Sequence, residues 1–367
     1  MRKFAGIVLS LAVLVGVLSA GAGGTAVAAG EERFVYVGGA PMGIALNADG
    51  LIVTGVGDVV TEEGSARPLE GSGLRPGDVV KKLDGEEADN LFEFRKKVSE
   101  AEGEVVLSVE RDSRTFDVKA TPVSEAASGK KRLGICLKED VGGIGTLTFV
   151  TEKGAYAALG HHVADPETGV CAELQEGKVF DVAIDGVVKG EPGRAGGLGA
   201  ELNRLAPPVG RNIANTEIGI YGVWNSHPRG ERVRVAERGE VHPGHAQVLT
   251  TIEDSEPALY DVDIVKCEPQ SERAQKGLVI AVRDRRLLDK AGGIVQGMSG
   301  SPILQDGALV GAVTHVFVSD PTRGYGVHAR FMLDEAEKVP VPVPHRKAAC
   351  QTGIIRTGFS AADFRLS

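Results

Sequence analysis

Between residues 31 and 122 the apolar positions form short runs separated by glycines and turn residues, with one helical stretch among them. Leu91, Phe94 and Val98 fall on one face of segment 90–101, which predicts an amphipathic helix capped by Asn90. The other runs have the length and spacing of strands and predict a small self-contained module. These strands are 35–38, 44–46, 51–56, one within 73–85, 105–110 and 115–120.

A different pattern begins after the small polar segment 124–129, which we interpret as a linker. Short apolar runs alternate with glycine-rich turns, and only segment 330–339 near the end has helical periodicity. Many short strands with little helix predict a β-barrel or a β-sandwich. The candidate strands are 132–137, 145–150, 170–174, 179–188, 217–224, 248–252, 260–265, 278–282 and 309–318.

The composition fits two folded domains and argues against some classes of function. The chain has 367 residues, and its 50 glycines with one tryptophan favour turns and short strands over long helices. A net charge of -9 with scattered basic residues argues against a nucleic-acid partner. The cysteines lack metal-ligand spacing, so we predict no metal site and no cofactor. Their pairing cannot be deduced from the sequence; they are Cys136, Cys171, Cys267 and Cys350.

The N-terminus has the pattern of an export signal. Arg2 and Lys3 precede an apolar run at 4–20, and segment 26–28 (Ala-Val-Ala) offers small residues for cleavage. The run is near the lower length limit of a membrane span, so residues 1–30 are predicted to be a signal peptide or an uncleaved signal anchor. Both alternatives export the remaining chain across the cytoplasmic membrane.

Segment 297–302, Gly-Met-Ser-Gly-Ser-Pro, has the character of a nucleophile loop. Glycines on both sides of Ser299 permit a tight turn in which the amides of Gly297 and Ser299 point at a developing oxyanion. Pro302 then fixes the exit into an apolar run. An ordinary turn between strands has a similar composition, so the hypothesis also needs a base.

His161 is the candidate base, because it follows the small residues of segment 157–160 and histidine exchanges protons near neutral pH. His162 is the rival, since adjacent side chains on a strand point to opposite faces and only one of them can meet Ser299. Asp165 follows four positions later, and a structural ion pair with His161 is the alternative to catalysis.

The first module resembles a bacterial PDZ domain, above all in its Gly-Leu-Arg-Pro-Gly-Asp segment at 73–78. We assign it residues 31–123. PDZ domains bind an extended peptide as an added strand, with loop amides holding a terminal carboxylate. The resemblance places this loop at Met42, Gly43 and Ile44. The alternative is a groove that is empty or filled by the chain itself.

The whole chain resembles the SpoIVB peptidases, a family of sporulation serine proteases. The most specific segments are 158–161 (Ala-Leu-Gly-His), 292–302, 314–318 (Thr-His-Val-Phe-Val) and 324–326. The resemblance implies a chymotrypsin-like double β-barrel over residues 124–367, with the active site between the barrels. It also points to Asp284 as the carboxylate behind His161, although a salt bridge with a flanking arginine is an alternative role. Asp165 and Asp263 remain alternatives for the third catalytic group.

The resemblance further implies a self-cleaving serine endopeptidase of endospore formation, initially anchored in the membrane and acting in the forespore intermembrane space. Its protein partners would include itself and a membrane-bound regulator, recruited through the PDZ module and cut to activate a sigma factor. A quality-control protease and a non-catalytic PDZ adaptor are the competing hypotheses. His315 is expected to be a pocket-wall residue, and His242 and His245 lack the partners of a metal site.

Overall fold

The computed structural model of the chain describes residues 32–165, 168–169, 177–201, 206–253, 256–268, 270 and 272–342. The predicted export segment, the predicted strand 170–174, Cys171 and Cys350 lie outside these residues. Within the described ranges the chain is mainly β-structure, and none of its helices has the length and apolar character needed to cross a membrane.

The elements are numbered here in chain order. The strands of the first half are β1 (Phe34–Val37), β2 (Pro41–Val56), β3 (Val59–Thr61), β4 (Gly64–Ala66), β5 (Val79–Leu83), β6 (Glu86–Glu87), β7 (Val105–Arg111), β8 (Arg114–Ala120), β9 (Val123–Ser124), β10 (Lys131–Arg132), β11 (Ile135–Thr151) and β12 (Ala155–Ala158). Those of the second half are β13 (Gly177–Asp181), β14 (Ala183–Val188), β15 (Gly197–Glu201), β16 (Gly210–Thr216), β17 (Gly219–Trp224), β18 (Arg232–Val235), β19 (Gly244–Thr250), β20 (Ala258–Cys267), β21 (Leu278–Val282), β22 (Pro302–Gln305), β23 (Ala308–Phe317) and β24 (Asp320–His328). The helices are α1 (Leu91–Glu100), α2 (Arg285–Ala291) and α3 (Ala329–Ala336), with a 3₁₀ turn at Arg238–Glu240.

The PDZ unit combines α1 with β5, β7, β8 and the second half of β2. The predicted cap is confirmed, because Asn90 Oδ1 accepts a hydrogen bond from the amide of Glu93 (3.0 Å). Phe94 and Val98 on the buried face of α1 pack into the core of this unit. The predicted hairpin of β7 and β8 is also present, with both turn residues, Asp112 and Ser113, at positive φ.

Asp78 holds the Gly-Leu-Arg-Pro-Gly-Asp turn in place through its carboxylate. Its carboxylate is almost fully buried and accepts hydrogen bonds from Arg111 Nε (2.5 Å) and Arg111 Nη2 (2.6 Å). It also accepts one from the amide of Arg75 (2.9 Å), three residues back in the turn. A buried carboxylate is tolerated here because a bidentate guanidinium and a backbone donor satisfy it.

Two closed antiparallel rings of strands form the rest of the described fold. In the first barrel β2, β11, β12, β17, β16 and β13 pair in that order, and β13 pairs back with β2. In the second barrel β19, β20, β21, β24, β23 and β22 pair in that order, and β22 pairs back with β19. The prediction of a PDZ domain with a chymotrypsin-like double β-barrel is confirmed.

The two barrels are joined by β1 and β18. β1 pairs with β11 of the first barrel and with β18, and β18 runs parallel to β23 of the second barrel. Phe331 and Met332 of α3 complete this junction, because they share one apolar cluster with Phe149 and Leu309 from the two barrels. The relative position of the barrels, and hence of anything between them, is therefore fixed by a continuous core.

The structure divides the modules differently from the predicted boundary at residue 123. β1 and the first half of β2 belong to the barrels, although the sequence places them in the PDZ module. Conversely, residues 135–138 at the start of β11 pair with residues 52–56 of β2 beside the PDZ core. β2 and β11 thus run through both units.

Candidate active site

The loop around Ser299 depends on two glycines with positive φ. Gly297 has φ +97° and Gly300 has φ +95°, a region that residues with a Cβ rarely adopt. A Cβ on Gly300 would also lie 2.1 Å from the carbonyl oxygen of Thr146, which belongs to β11 of the first barrel. The loop can therefore close against the opposite barrel only with glycine at position 300.

Hydrogen bonds from β11 hold the backbone of this loop. The hydroxyl of Thr146 donates to the carbonyl of Gly297 (2.8 Å), and the Thr146 amide donates to the carbonyl of Ser299 (2.8 Å). The Thr148 hydroxyl donates to the carbonyl of Gly300 (2.7 Å). These three hydrogen bonds turn the carbonyls of Gly297, Ser299 and Gly300 toward the first barrel. The amides of Gly297 and Ser299 are not used in these contacts.

Ser299 presents the groups that acyl transfer requires. Its hydroxyl donates to the carbonyl of Thr314 (2.8 Å), and both residues line the cavity described below. Within the described chain, neither the amide of Gly297 nor that of Ser299 has an assigned acceptor, whereas the amide of Gly300 donates to Val313 (2.7 Å). Two unpaired neighbouring amides are what an oxyanion hole needs.

His161 lies directly after β12, on a turn that two left-handed residues create. Leu159 and Gly160 have φ +69° and +72°. The imidazole Nδ1 lies 2.8 Å from the carbonyl oxygen of His162, so the proton on Nδ1 is donated there and Nε2 is left as the basic nitrogen. Burial lowers the pKa of His161 below its ordinary value, which keeps the ring neutral at neutral pH.

Both residues line one cavity of about 490 Å³ between the barrels. The first barrel contributes Ile44, residues 142–144 and the His161 turn, and the second contributes the Ser299 loop with residues 314–316. Gly297 lines the same cavity. The structure thus brings together His161, Ser299 and Gly297 as the sequence predicted, although their catalytic roles stay predictions.

The predicted third group, Asp284, is not among the residues that line this cavity. It caps α2, where its carboxylate accepts hydrogen bonds from the amide of Arg286 (2.8 Å) and from Arg286 Nη2 (2.6 Å). This pairing lowers the pKa of Asp284 to about 2. Among the described residues no hydrogen bond joins it to His161, so its catalytic role remains a prediction from resemblance.

The alternative carboxylates are engaged in the same way. Asp165 is buried and forms an ion pair with Lys138, and Asp263 pairs with Arg283 (2.6 Å). Each of the three candidate acids therefore contacts a cation, and among described residues none of them is hydrogen-bonded to His161. For Asp284 the sequence analysis gives a salt bridge with a flanking arginine as the alternative role, and the structure has a salt bridge with Arg286, two residues further on.

A different residue meets His161 across the cavity. The ring of His315, on β23, lies with its centroid 4.9 Å from that of His161. His315 lines the cavity, as expected of a pocket-wall residue, but nothing in the sequence predicted its contact with the base. His162 also lines the cavity, whereas His242 does not and binds Asp306 (3.0 Å). The described residues contain no cluster able to hold a metal ion.

The predicted peptide-binding loop is contradicted by the strand pairing. Met42, Gly43 and Ile44 lie inside β2 and pair with Gly145–Gly143 of β11 on one edge and with residues 179–181 of β13 on the other. Met42 and Ile44 are also buried in the first barrel. No edge of this segment is open to an added strand, because both edges are part of the closed ring.

An open groove lies instead beside α1. A cavity of about 990 Å³ is lined by Leu91, Phe94 and Val98 of α1 and by residues 131–137. Residues 135–138 of β11 pair with β2 on one edge, and no described strand pairs with the other edge. Leu133-Gly134-Ile135 repeats the apolar-glycine-apolar pattern of segment 42–44, the only segment at which the sequence analysis places the loop.

A family model described as SpoIVB peptidase S55 matches residues 129–333. No curated protein matches the chain. Among solved structures, the PDZ domain of the SdrC-like protein from Listeria monocytogenes is similar, with 19% identity over 24% of this chain and 87% of that chain, at a TM-score of 0.20.

Two further solved structures are also similar. The HtrA-type protease AlgW with decapeptide is 8% identical over 83% of this chain and 65% of that chain, at a TM-score of 0.33. A mutant of Rv3671c from M. tuberculosis H37Rv in its inactive form is 14% identical over 55% of this chain and 84% of that chain, at a TM-score of 0.29. At these TM-scores the fold assignment rests on the strand pairing described above.

Proposed function

The chain belongs to the SpoIVB peptidase S55 family, and on that premise we propose that Ser299 and His161 carry out its serine peptidase activity. The observation that carries the proposal is the shared cavity, which a serine from one barrel and a histidine from the other both line. The serine loop also has two amides with no assigned acceptor among the described residues. This arrangement supports acyl transfer, with a polypeptide as the substrate that a cleft between barrels accepts.

The proposed chemistry follows from the tautomer of His161. With its Nδ1 proton donated to the His162 carbonyl, Nε2 has a free lone pair. The Ser299 hydroxyl turns from the Thr314 carbonyl, gives its proton to this Nε2, and its Oγ bonds to the scissile carbonyl carbon. The carbonyl oxygen gains negative charge and is stabilised by the Gly297 and Ser299 amides. The imidazolium then donates its proton to the leaving amine as the carbon–nitrogen bond breaks, and water later hydrolyses the acyl-enzyme.

The biological setting is proposed from the family. The chain would be an exported, initially membrane-anchored endopeptidase of endospore formation that cleaves itself. It would signal from the forespore intermembrane space by cutting a membrane-bound regulator of an intramembrane protease, which activates a sigma factor. A PDZ-regulated quality-control protease is the competing setting, and it differs in cutting unfolded proteins broadly.

A second function, peptide capture, is favoured by the groove beside α1. The edge of residues 135–137 that faces away from β2 pairs with no described strand, and it lies next to Phe94 and Val98. This arrangement fits an extended peptide that adds as a strand. We assign the protein partner of the PDZ unit to this groove instead of to Met42–Ile44. A non-catalytic adaptor would use the same groove without chemistry at Ser299.

The test is to map the N-termini of purified wild-type protein and of Ser299→Ala, with Ser301→Ala as the matched control. The hydroxyl of Ser301 is buried and donates to the carbonyl of Met298 (2.6 Å), so it supports the loop without facing the cavity. We expect new N-termini in wild type and Ser301→Ala, and a single intact N-terminus in Ser299→Ala. Identical processing in all three proteins would contradict self-cleavage by Ser299.

A casein assay addresses the competing setting. Rapid degradation of casein by the wild-type protein would favour a quality-control protease.

A further inference from the structure

We propose that His315 is a positioning residue that holds the imidazole of His161 in its reactive orientation from the opposite barrel. The inference rests on the proposed function of Ser299 and His161. It assigns to His315 a role beyond that of a pocket wall, because its ring contacts the base itself.

The contact between the rings is the first observation. Their centroids are 4.9 Å apart and their planes are inclined by 36°, a separation within the range of packed aromatic ring pairs. His161 comes from the turn after β12 in the first barrel, whereas His315 comes from β23 in the second. The ring of the base is therefore supported across the cleft and not only by its own loop.

The second observation is the support that His161 otherwise has. Its Nδ1 donates to the carbonyl of the adjacent residue, His162, at 2.8 Å. A contact to the next residue moves with the loop, so it does not fix the position of the His161 ring relative to Ser299 in the second barrel. The ring of His315 can fix this position, because Thr314 directly precedes it on β23 and the Thr314 carbonyl accepts the Ser299 hydroxyl.

The third observation is the surroundings of His315. Its Nδ1 is buried and, among the described residues, has no hydrogen-bond partner. Among the described residues, the ionisable groups that act on the ring are His161, His162 and Lys276, and none of these is an anion. Burial, followed by the charge of His161, lowers the pKa of His315 to about 4. His315 is thus neutral when the enzyme works and can lie beside the imidazolium that forms on His161 without repelling it.

The experiment uses a small fluorophosphonate, because such a reagent needs the nucleophile and base but no extended substrate pocket. A pocket-wall role would leave its labelling rate unchanged, whereas a positioning role would not. We expect His315→Ala to label about tenfold or more slowly than wild type, within the range that a misplaced general base costs. His315→Phe, which keeps a ring at this position, should restore most of the rate. His242→Ala is the matched control, since His242 is exposed and distant from the cavity.

A second readout reports His161 directly. The pKa of His161 is measured by NMR in full-length Ser299→Ala, alone and combined with a second substitution. It should rise when His315→Ala is added, because water then reaches the His161 ring. It should remain low when His315→Phe is added. The inference is overturned if His315→Ala is labelled at the wild-type rate and the pKa of His161 does not change. If His315→Ala does not fold, slow labelling by a folded His315→Phe overturns it. Undiminished labelling of Ser299→Ala would instead overturn the proposed function, so the two failures are distinguishable.

Discussion

The hydroxyl of Thr146 donates a hydrogen bond to the carbonyl oxygen of Gly297 at 2.8 Å, and this bond ties the first barrel to the nucleophile loop of the second. Thr146 is buried and lies on β11, the strand whose opposite end lines the groove beside α1. One strand therefore contacts the peptide groove at residues 135–137 and the proposed oxyanion loop at residue 146. The geometry of Gly297 depends on a residue that the sequence did not mark as functional.

Thr146→Val should weaken catalysis while the protein stays folded. The change leaves the carbonyl of Gly297 without its donor, and one lost hydrogen bond of this kind corresponds to about 1 kcal/mol, or roughly a fivefold loss of labelling rate. The measurement is the rate of fluorophosphonate labelling together with thermal unfolding. Thr61→Val is the control, because Thr61 also donates to a glycine carbonyl (Gly64, 2.9 Å) but lies in the PDZ unit. Equal rates in the two variants would contradict the role of Thr146.

His161→Ala should lose proteolysis and labelling to the same extent as Ser299→Ala, because residues that act as a unit do not have additive effects. His162→Ala is the matched control, as its side chain is exposed and the substitution keeps the backbone carbonyl that accepts from the base. We expect this variant to retain most of the activity. Loss in His162→Ala with activity in His161→Ala would reverse the assignment of the base.

The labelling rate should rise with pH through an apparent pKa below the ordinary histidine value of about 6.5. The sign follows from the mechanism, because Nε2 of His161 must be unprotonated to accept the proton of Ser299. Burial lowers the pKa of His161, so the active form persists below neutral pH. A rate profile measured on full-length protein gives this value. A limb well above the ordinary histidine pKa would contradict the buried, carboxylate-free surroundings described for His161.

Asp284→Asn distinguishes the catalytic role that the resemblance implies for Asp284 from the helix-capping role that the structure shows. Because Asn caps helices as well as Asp and the lost partner Arg286 is exposed, we expect a stability loss of about 0.5–1 kcal/mol and nearly unchanged turnover. The folded pKa of about 2 lies below the unfolded value, so this contribution is present at neutral pH and is lost as pH falls toward about 2. Unfolding by denaturant at several pH values measures it. A loss of turnover of roughly 10⁴-fold would instead support Asp284 as the catalytic acid.

The elements that local chemistry determines could be predicted from the sequence. The α1 helix follows from its apolar face and from Asn90, and the hairpin of β7 and β8 follows from Asp112-Ser113. The Ser299 loop and the His161 turn could be predicted in the same way, since their glycines and small residues indicate tight turns.

Features that depend on pairing between distant segments could not be predicted in this way. β2 and β11 are long strands shared by the PDZ unit and the barrel, and alternation of apolar residues does not say which partner a strand takes. For this reason the sequence places the peptide-binding loop at 42–44, whereas the open cavity beside α1 is lined by residues 131–137. The α2 helix was missed because its seven residues are too short to show helical periodicity. The contact of His161 with His315 joins positions on different barrels and has no local signature.

Labelling with a fluorophosphonate and location of the adduct by mass spectrometry tests most directly whether Ser299 is an activated nucleophile. The reagent is added to full-length wild type, to Ser299→Ala and to Ser301→Ala, each checked for folding by thermal unfolding. We predict a single adduct on Ser299 in wild type and in Ser301→Ala, and no adduct in Ser299→Ala. An unlabelled folded wild-type protein, or an adduct that persists in Ser299→Ala, would contradict the assignment of Ser299 as the nucleophile.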